Sequence, residues 1–128
     1  MASVLIIDDD PVIQLLLRVS FEQDGFEVET ASDGEEGLQK AKVMRPDLTL
    51  LDVLMPKLNG IEVLRSLRED PETAELTVAL LSAKADAADQ EAGMEAGANA
   101  YVTKPFDPLA LLEQVRRLIA DAQREGHL

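Results

Sequence analysis

The chain has 128 residues, 46% of them apolar, which suits a single domain with one core. It has no Cys, and its only His, His127, is the penultimate residue, so disulfides, thiolate catalysis and zinc–sulfur sites are excluded and imidazole sites are disfavoured. The net charge of −13 without a basic stripe disfavours binding to nucleic acid or to an anionic membrane.

Short apolar runs predict the strands. They cover residues 1–7, 26–31, 48–52, 77–81 and 100–103. The second run alternates apolar and polar residues, which is typical of a strand with one solvated face near a sheet edge. No run could span a bilayer and no leader precedes Val4, so we expect a cytoplasmic protein without membrane contact.

Capping signals predict a helix after each strand. The helices begin at Asp10-Pro11, at the capping box Ser32-Asp33-Gly34-Glu35, at Asn59-Gly60-Ile61-Glu62, near Asp86 and at Asp107-Pro108. Gly25 and Gly97 are predicted to end the first and fourth helices in the left-handed conformation.

Two helices differ in the strength of their apolar pattern. In the first helix, residues at helical spacing predict a buried stripe, formed by Ile13, Leu16, Leu17, Ser20 and Phe21. The fourth helix, about 86–96, carries only Met94 as a large apolar residue and Gly93 inside it, so we expect it to be the most easily displaced.

Five strands alternating with five helices through short connections predict a parallel sheet covered on both faces, a three-layer α/β sandwich. We place the domain at residues 1–122, and residues 123–128 as a polar tail or the start of a linker.

Polar residues follow four of the predicted strands. Asp8 and Asp9 follow the first, Asp52 ends the third, Ser82 follows the fourth and Lys104 the fifth. In open α/β sheets, this carboxyl edge is where ligands bind. Two carboxylates about 4 Å apart repel by about 4 kcal/mol at an effective dielectric of about 20, so the cluster calls for a hard cation such as Mg²⁺, with Mn²⁺ as an alternative.

Simpler interpretations exist for some of these residues. Asp10 is explained as a helix cap, whereas capping does not explain Asp8 and Asp9. Taken alone, Ser82 would be a turn residue and Lys104 a surface charge. The Lys104-Pro105 bond is compatible with a cis peptide.

The same residues resemble the motifs of the response-regulator receiver domain. The matching segments, in order, are Ile6–Asp10, Leu51–Pro56 with Asn59-Gly60, Leu80–Ala83 and Tyr101–Phe106. The resemblance covers residues 3 to about 122, and it implies the flavodoxin-like (βα)5 fold with strand order 2-1-3-4-5.

The resemblance implies a role at the site for each of several residues. Asp52 would accept a phosphoryl group from the phosphohistidine of a histidine kinase or phosphotransfer protein. Mg²⁺ would be held by Asp9, Asp52 and the Leu54 carbonyl, with Asp8 acting largely through water. Lys104 would pair with one phosphoryl oxygen.

The resemblance also implies a switch. Ser82 would hydrogen-bond another phosphoryl oxygen, and Tyr101 would then turn inward. The surface of the fourth helix, fifth strand and fifth helix would change towards an effector protein or output domain. The chain would thus be a signalling phosphoacceptor that assists its own phosphorylation and dephosphorylation, and not an enzyme.

Two positions depart from the family pattern. Leu54 replaces the polar side chain of many relatives, so we hypothesise slow hydrolysis of phosphorylated Asp52, with Lys84 covering the acyl phosphate. The fourth helix lacks the basic residues with which the winged-helix branch pairs its receivers, so we expect a monomer or a different contact.

Three other functions fit the sequence less well. In a haloacid-dehalogenase-type phosphatase, Asp8 would be the nucleophile, but Asp52 would be unused and the acidic pair after the lysine is missing. A binding module that has lost phosphorylation would not need the full set of site residues. A flavin protein of this topology would not place three acids after the first strand, where it binds phosphate.

Overall fold

The computed structural model describes residues 2–55 and 58–125. Its strands are β1 (Ser3–Ile7), β2 (Glu27–Ala31), β3 (Leu48–Asp52), β4 (Val78–Ser82) and β5 (Ala100–Thr103). Its helices are α1 (Pro11–Gln23), α2 (Gly34–Met44), α3 (Gly60–Glu69), α4 (Ala87–Glu95) and α5 (Pro108–Glu125). Met1 of the predicted first strand, Pro56 and Lys57 of the loop after Asp52, and residues 126–128 of the predicted tail lie outside the described residues.

The five strands form one parallel sheet in the order β2-β1-β3-β4-β5, which confirms the expected fold. Side chains alternate across it: along β1, Leu5 and Ile7 join one core cluster while Val4 and Ile6 join the other. The first cluster includes residues of α2 and α3, and the second includes residues of α1 and α5. The sheet therefore separates two helical layers, as predicted.

The helix caps agree with the sequence in most places. The side chains of Asp10, Asn59 and Asp86 each accept a backbone N–H of the first helical turn. The box before α2 lies one residue later than predicted, because Asp33 caps the Glu36 N–H while the Glu36 carboxylate accepts from the Ser32 N–H at 2.7 Å.

Helix α1 turns most of the predicted face to the core, with Ile13, Leu17 and Phe21 in or against the second core cluster. Leu17 and Phe21 are buried, but Leu16 is 42% exposed. It forms an exposed row with Val12, Leu15 and Val19, which we call the α1 stripe. The helix has more apolar positions than one face can bury, so its apolar pattern did not distinguish Leu16 from the buried positions.

Helices α4 and α5 also differ from the sequence-based expectation. Met94 of α4 is 47% exposed, and the buried residue of that helix is Gly93. Helix α5 continues to Glu125, so the first residues of the predicted tail are helical. Within the described residues, none of the helices has both the length and the apolar character needed to cross a membrane.

Candidate functional site

The site begins with two buried acids on neighbouring strands. Asp52 is the last residue of β3 and is 5% exposed, while Asp8 directly follows β1 and is fully buried. Strands β1 and β3 pair directly, with Ile7 opposite Leu51. The parallel register therefore places both carboxyl groups at the same edge of the sheet.

Asp9, which is exposed, completes an acidic cluster with these two residues. One carboxylate oxygen from each of Asp8, Asp9 and Asp52 lies within 4.8 Å of the others. All the ligands offered are carboxylate oxygens, the donors that hard cations such as Mg²⁺ prefer. The pocket is thus compatible with Mg²⁺, and it brings together the three acids predicted from the sequence.

Lys104 supplies the positive charge of the site. Its Nζ lies 3.0 Å from Asp8 Oδ2 and 3.5 Å from Asp52 Oδ1. It is held there because Lys104 directly follows β5 and its backbone N–H donates to the Ser82 carbonyl. The peptide bond between Lys104 and Pro105 is cis.

Asp8 is held from both sides. Its Oδ1 accepts the Asp10 N–H at 2.9 Å, and its Oδ2 accepts from Lys104. Both carboxylate oxygens of Asp8 therefore have hydrogen-bond partners, which fix the orientation of this side chain.

The burial of these charges changes their proton affinities. Burial and the charge of Asp8 raise the pKa of Asp52 to about 6, although Lys104 opposes this shift. Burial lowers the pKa of Lys104, but the hydrogen bond and charge of Asp8, together with Asp52, outweigh it and raise the pKa overall. At neutral pH, Asp52 is therefore mostly a carboxylate and Lys104 an ammonium.

The loop after Asp52 brings Leu54 to the pocket. The Leu54 N–H donates to Asp52 Oδ1 at 3.3 Å, and its side chain is 49% exposed. Gly60 holds this loop from the other side, where its N–H donates to the Val53 carbonyl. A Cβ on Gly60 would lie 2.3 Å from the Asp52 carbonyl oxygen, so only glycine allows α3 to begin so close to the strand.

Ser82 and Tyr101 are connected to each other through the backbone of one residue, Lys84. The Lys84 N–H donates to Ser82 Oγ at 3.0 Å, and the Tyr101 hydroxyl donates to the Lys84 carbonyl at 2.7 Å. Ser82 is fully buried at the end of β4. The two predicted switch residues thus share a link through Lys84 that no sequence signal indicated.

Sequence reasoning missed two contributions to the site. The Asn59-Gly60 pair predicted a helix cap and matched a family motif, but the sequence did not show that Gly60 is also needed for the close approach described above. Gln14 gave no signal, yet its side-chain amide donates to the carbonyls of Asp8 and Ala31 and to Ser32 Oγ. It thereby joins the ends of β1 and β2 beside the pocket.

A doubly wound parallel sheet whose carboxyl edge carries an acidic, oxygen-only pocket and a paired lysine defines a class of domains that handle phosphoryl groups. The profile of the response regulator receiver domain matches residues 4–116, and the chain belongs to that family. It is a receiver domain of the two-component response regulators, and the comparisons give no support to the haloacid-dehalogenase alternative.

Similar proteins include transcriptional regulators. The chain is 42% identical to the alkaline phosphatase synthesis transcriptional regulatory protein PhoP of Bacillus subtilis over 91% of this chain and 48% of that protein. It is 40% identical to the DNA-binding dual master transcriptional regulator RpaA of Synechocystis over 97% of this chain and 52% of that protein. The chain thus spans about half the length of these relatives.

Solved structures show the same fold. A CheY-like response regulator receiver domain protein from Methanospirillum hungatei superposes with a TM-score of 0.92 at 29% identity, covering 98% of this chain and 99% of that one. The chemotaxis protein CheY4 of Vibrio cholerae superposes with a TM-score of 0.87 at 33% identity, covering 92% and 98%.

The raised pKa of Asp52 predicts a pH-dependent stability. Folded Asp52 has a pKa of about 6, against about 3.9 for an unfolded Asp, so the folded state binds this proton more tightly. Ionised Asp52 therefore destabilises the fold above pH 6. We expect Asp52→Asn to melt at a higher temperature than the parent at about pH 7.5 in EDTA, with a difference that shrinks towards about pH 4.5.

Thermal unfolding followed by circular dichroism measures this difference. Glu113→Gln, at an exposed position on α5, is the matched control, and its melting temperature should equal that of the parent at every pH tested. A gap between parent and Asp52→Asn that does not change with pH would contradict the assignment of the shift to Asp52.

Proposed function

We propose that this domain accepts a phosphoryl group on Asp52 from the phosphohistidine of a histidine kinase or phosphotransfer protein. The observation that carries the proposal is the position of Asp52, a buried carboxylate inside the acidic cluster and 3.5 Å from Lys104 Nζ. Asp52 is mostly ionised at neutral pH and can therefore act as a nucleophile without a separate base.

The transfer exchanges one bond to phosphorus for another. An Asp52 carboxylate oxygen attacks phosphorus, an O–P bond forms, and the P–N bond to the donor imidazole breaks. The electron pair of that bond returns to the imidazole nitrogen of the donor, while Asp52 becomes an acyl phosphate. Because the charge on the transferring group is spread over its oxygens, the domain contributes mainly position and electrostatics.

The residues present fit a magnesium ion. Asp9, Asp52 and the Leu54 carbonyl would hold it, and Asp8 would act through water. When bound, Mg²⁺ supplies positive charge to the phosphoryl oxygens. Lys104 adds its own ammonium charge at a fixed place, since Asp8 holds its Nζ at 3.0 Å.

Ser82 and Tyr101 are proposed to pass the change to the surface. When Ser82 Oγ turns to a phosphoryl oxygen, it gives up the Lys84 N–H that it accepts in this structure. The carbonyl of the same residue, Lys84, accepts the Tyr101 hydrogen bond, so the loop and the ring move together. The surface of α4, β5 and α5 then changes towards an effector protein or output domain.

The α1 stripe supports a docking place for the phosphodonor. Val12, Leu15, Leu16 and Val19 are between 42% and 70% exposed and recur at the spacing of one helical face. Helix α1 starts at Pro11, directly after the acids of the pocket. A helical donor domain packed on this stripe would bury its apolar side chains next to Asp52.

The role of the whole protein is also a proposal. Because the relatives that span twice this length are named as transcriptional and DNA-binding regulators, we infer that this receiver controls an output domain or a separate effector. We place the receiver at residues 1–122 and residues 123–128 as a polar tail or the start of a linker, with α5 continuing to Glu125. We expect it to work in the cytoplasm, without contacting nucleic acid or membrane itself, as a signalling phosphoacceptor rather than an enzyme.

The phosphoacceptor can be identified directly. With Mg²⁺ and acetyl phosphate, the parent should gain the mass of one phosphoryl group, and Asp52→Asn should gain none because the nucleophile is lost. Intact mass spectrometry measures the gain. Borohydride reduction, which converts an aspartyl phosphate to homoserine, then locates the residue.

The outcomes separate the competing functions. Homoserine at position 8 would favour the phosphatase chemistry, and uptake by Asp52→Asn equal to that of the parent would disprove the proposal. A parent that takes up nothing would be a binding module without phosphorylation.

Leu54 predicts a long-lived acyl phosphate, because its apolar side chain at the pocket cannot orient an attacking water. In Leu54→Asn, the acyl phosphate on Asp52 should hydrolyse about threefold to tenfold faster than in the parent, because the Asn side chain adds one hydrogen bond in the transition state. Loss of the phosphorylated mass with time measures the rate. Leu54→Met keeps an apolar side chain and should match the parent, while equal rates for Leu54→Asn and the parent would refute the hypothesis.

The α1 stripe can be tested by placing a charge in it. Leu15→Glu should lower kcat/KM for transfer from the phosphorylated transmitter domain of a kinase by about tenfold, the loss of about 1.4 kcal/mol of contact. Uptake from acetyl phosphate, which needs no docking, should stay unchanged. Val43→Glu is the matched control, since Val43 is 88% exposed on α2, on the other face of the sheet. A similar loss in both variants would argue against the stripe.

A further inference from the structure

Helix α4 makes little use of apolar burial. Among Ala87–Glu95, the buried residue is Gly93, which has no side chain to contribute. A Cβ at that position would lie 2.7 Å from Leu80 Cδ1 and 3.0 Å from Tyr101 Cδ2. Since most helical stability in proteins comes from packing an apolar face, the position of α4 has to be set by contacts at its two ends.

The turn after the carboxyl end of α4 is bound by an arginine of α3, in addition to Asn99, which exchanges two hydrogen bonds with Val78 of β4. Arg68 Nε and Nη2 donate to the Gly97 carbonyl at 3.0 and 2.8 Å, and Nη2 also donates to Asn99 Oδ1 at 3.0 Å. Nη1 donates to the carbonyls of Ala74 and Leu76 at 3.0 and 2.6 Å. All five N–H groups of the guanidinium are thus used, and they join α3, the turn before β4 and the turn before β5.

The surroundings make this contact costly to break. Arg68 is partly buried, and burial lowers its pKa while the charge of Glu75 opposes the shift. Gly97 has φ +110, and a Cβ there would lie 3.1 Å from Arg68 Cγ and Nε. Displacing the turn would leave a desolvated guanidinium and several carbonyls without partners, which is more costly than losing one neutral hydrogen bond.

The amino end of α4 is attached more weakly, and through residues of the phosphoryl site. The loop before it is held by the bond from the Lys84 N–H to Ser82 Oγ and by the bond from Tyr101 to the Lys84 carbonyl. These are neutral hydrogen bonds, and under the proposed function phosphorylation rearranges both. The two ends of α4 therefore differ in strength and in their connection to Asp52.

We propose that Arg68 is a positioning residue that fixes the carboxyl end of α4 to α3, so that phosphorylation of Asp52 turns α4 about Gly97 instead of shifting the whole helix. The turning on phosphorylation rests on the proposed function. The fixing of the turn by Arg68 does not depend on it.

Amide hydrogen exchange of the unphosphorylated protein tests the fixed end. The N–H groups of Gly97, Ala98 and Asn99 all donate to backbone carbonyls, so they report opening of the turn. Arg68→Met should raise exchange at residues 97–99 by about tenfold or more, the loss of a charged hydrogen-bond set, and Arg68→Lys should raise it less. Arg65→Met, at an exposed position of the same helix, is the matched control and should match the parent.

These measurements can overturn the proposal without phosphorylation. Slow amide exchange in the strands shows whether each variant is folded. If Arg68→Met does not fold, Arg68→Lys is the variant that tests the proposal. Unchanged exchange at residues 97–99 in a folded Arg68 variant, or an equal rise in Arg65→Met, would remove the role of Arg68.

The same experiment after treatment with Mg²⁺ and acetyl phosphate tests the turning motion, with uptake checked by intact mass. In the parent, we expect exchange to change over residues 83–90 and to stay constant over 97–99, whereas in the Arg68 variants the change should reach both segments. Equal changes at both ends of α4 in the phosphorylated parent would overturn the pivot. If the parent takes up no phosphoryl group, both the proposed function and the turning of α4 about Gly97 are disproved. The fixing of the turn by Arg68 is still tested, because it is measured by hydrogen exchange in the unphosphorylated protein.

Discussion

The repulsion between carboxylates at the edge of the sheet is the constraint on which the rest of this domain depends. One oxygen from each of Asp8, Asp9 and Asp52 lies within 4.8 Å of the others, and two of these residues are buried. At about 4 Å and an effective dielectric of about 20, each like-charged pair costs about 4 kcal/mol. The fold must therefore hold in place a group of charges that would separate if they were free to move.

Lys104 and the backbone around the acids are what make this arrangement stable. The ammonium group contacts both buried acids, and the Asp10 N–H holds the second oxygen of Asp8. The compensation is incomplete, since the pKa of Asp52 still rises to about 6. A carboxylate that is costly to keep ionised is one that gains from a nearby cation, which links the stability of the pocket to its affinity for Mg²⁺.

The same edge of the sheet controls what happens farther away. Ser82 ends β4 next to β3, and its hydroxyl is joined through the backbone of Lys84 to Tyr101 of β5. Helix α4 lies over this connection with only a glycine buried, so it is held by its ends rather than by its face. A small change beside Asp52 can therefore reach the surface because the element between them has little packing to resist it.

The sequence by itself determined the elements, their order and the chemistry of the strand ends, because hydrophobic period, capping residues and strand-terminal acids are local signals. It also indicated, from motif resemblance, that Asp8, Asp9, Asp52 and Lys104 belong to one site. Only the tertiary structure decided that Leu16 faces outward, that Asp33 rather than Ser32 caps α2, and that Arg68 and Gly60 hold turns in place. These features depend on which helix face meets the sheet and on how closely two backbones approach, and both follow from the packing of the whole chain rather than from any local stretch of it.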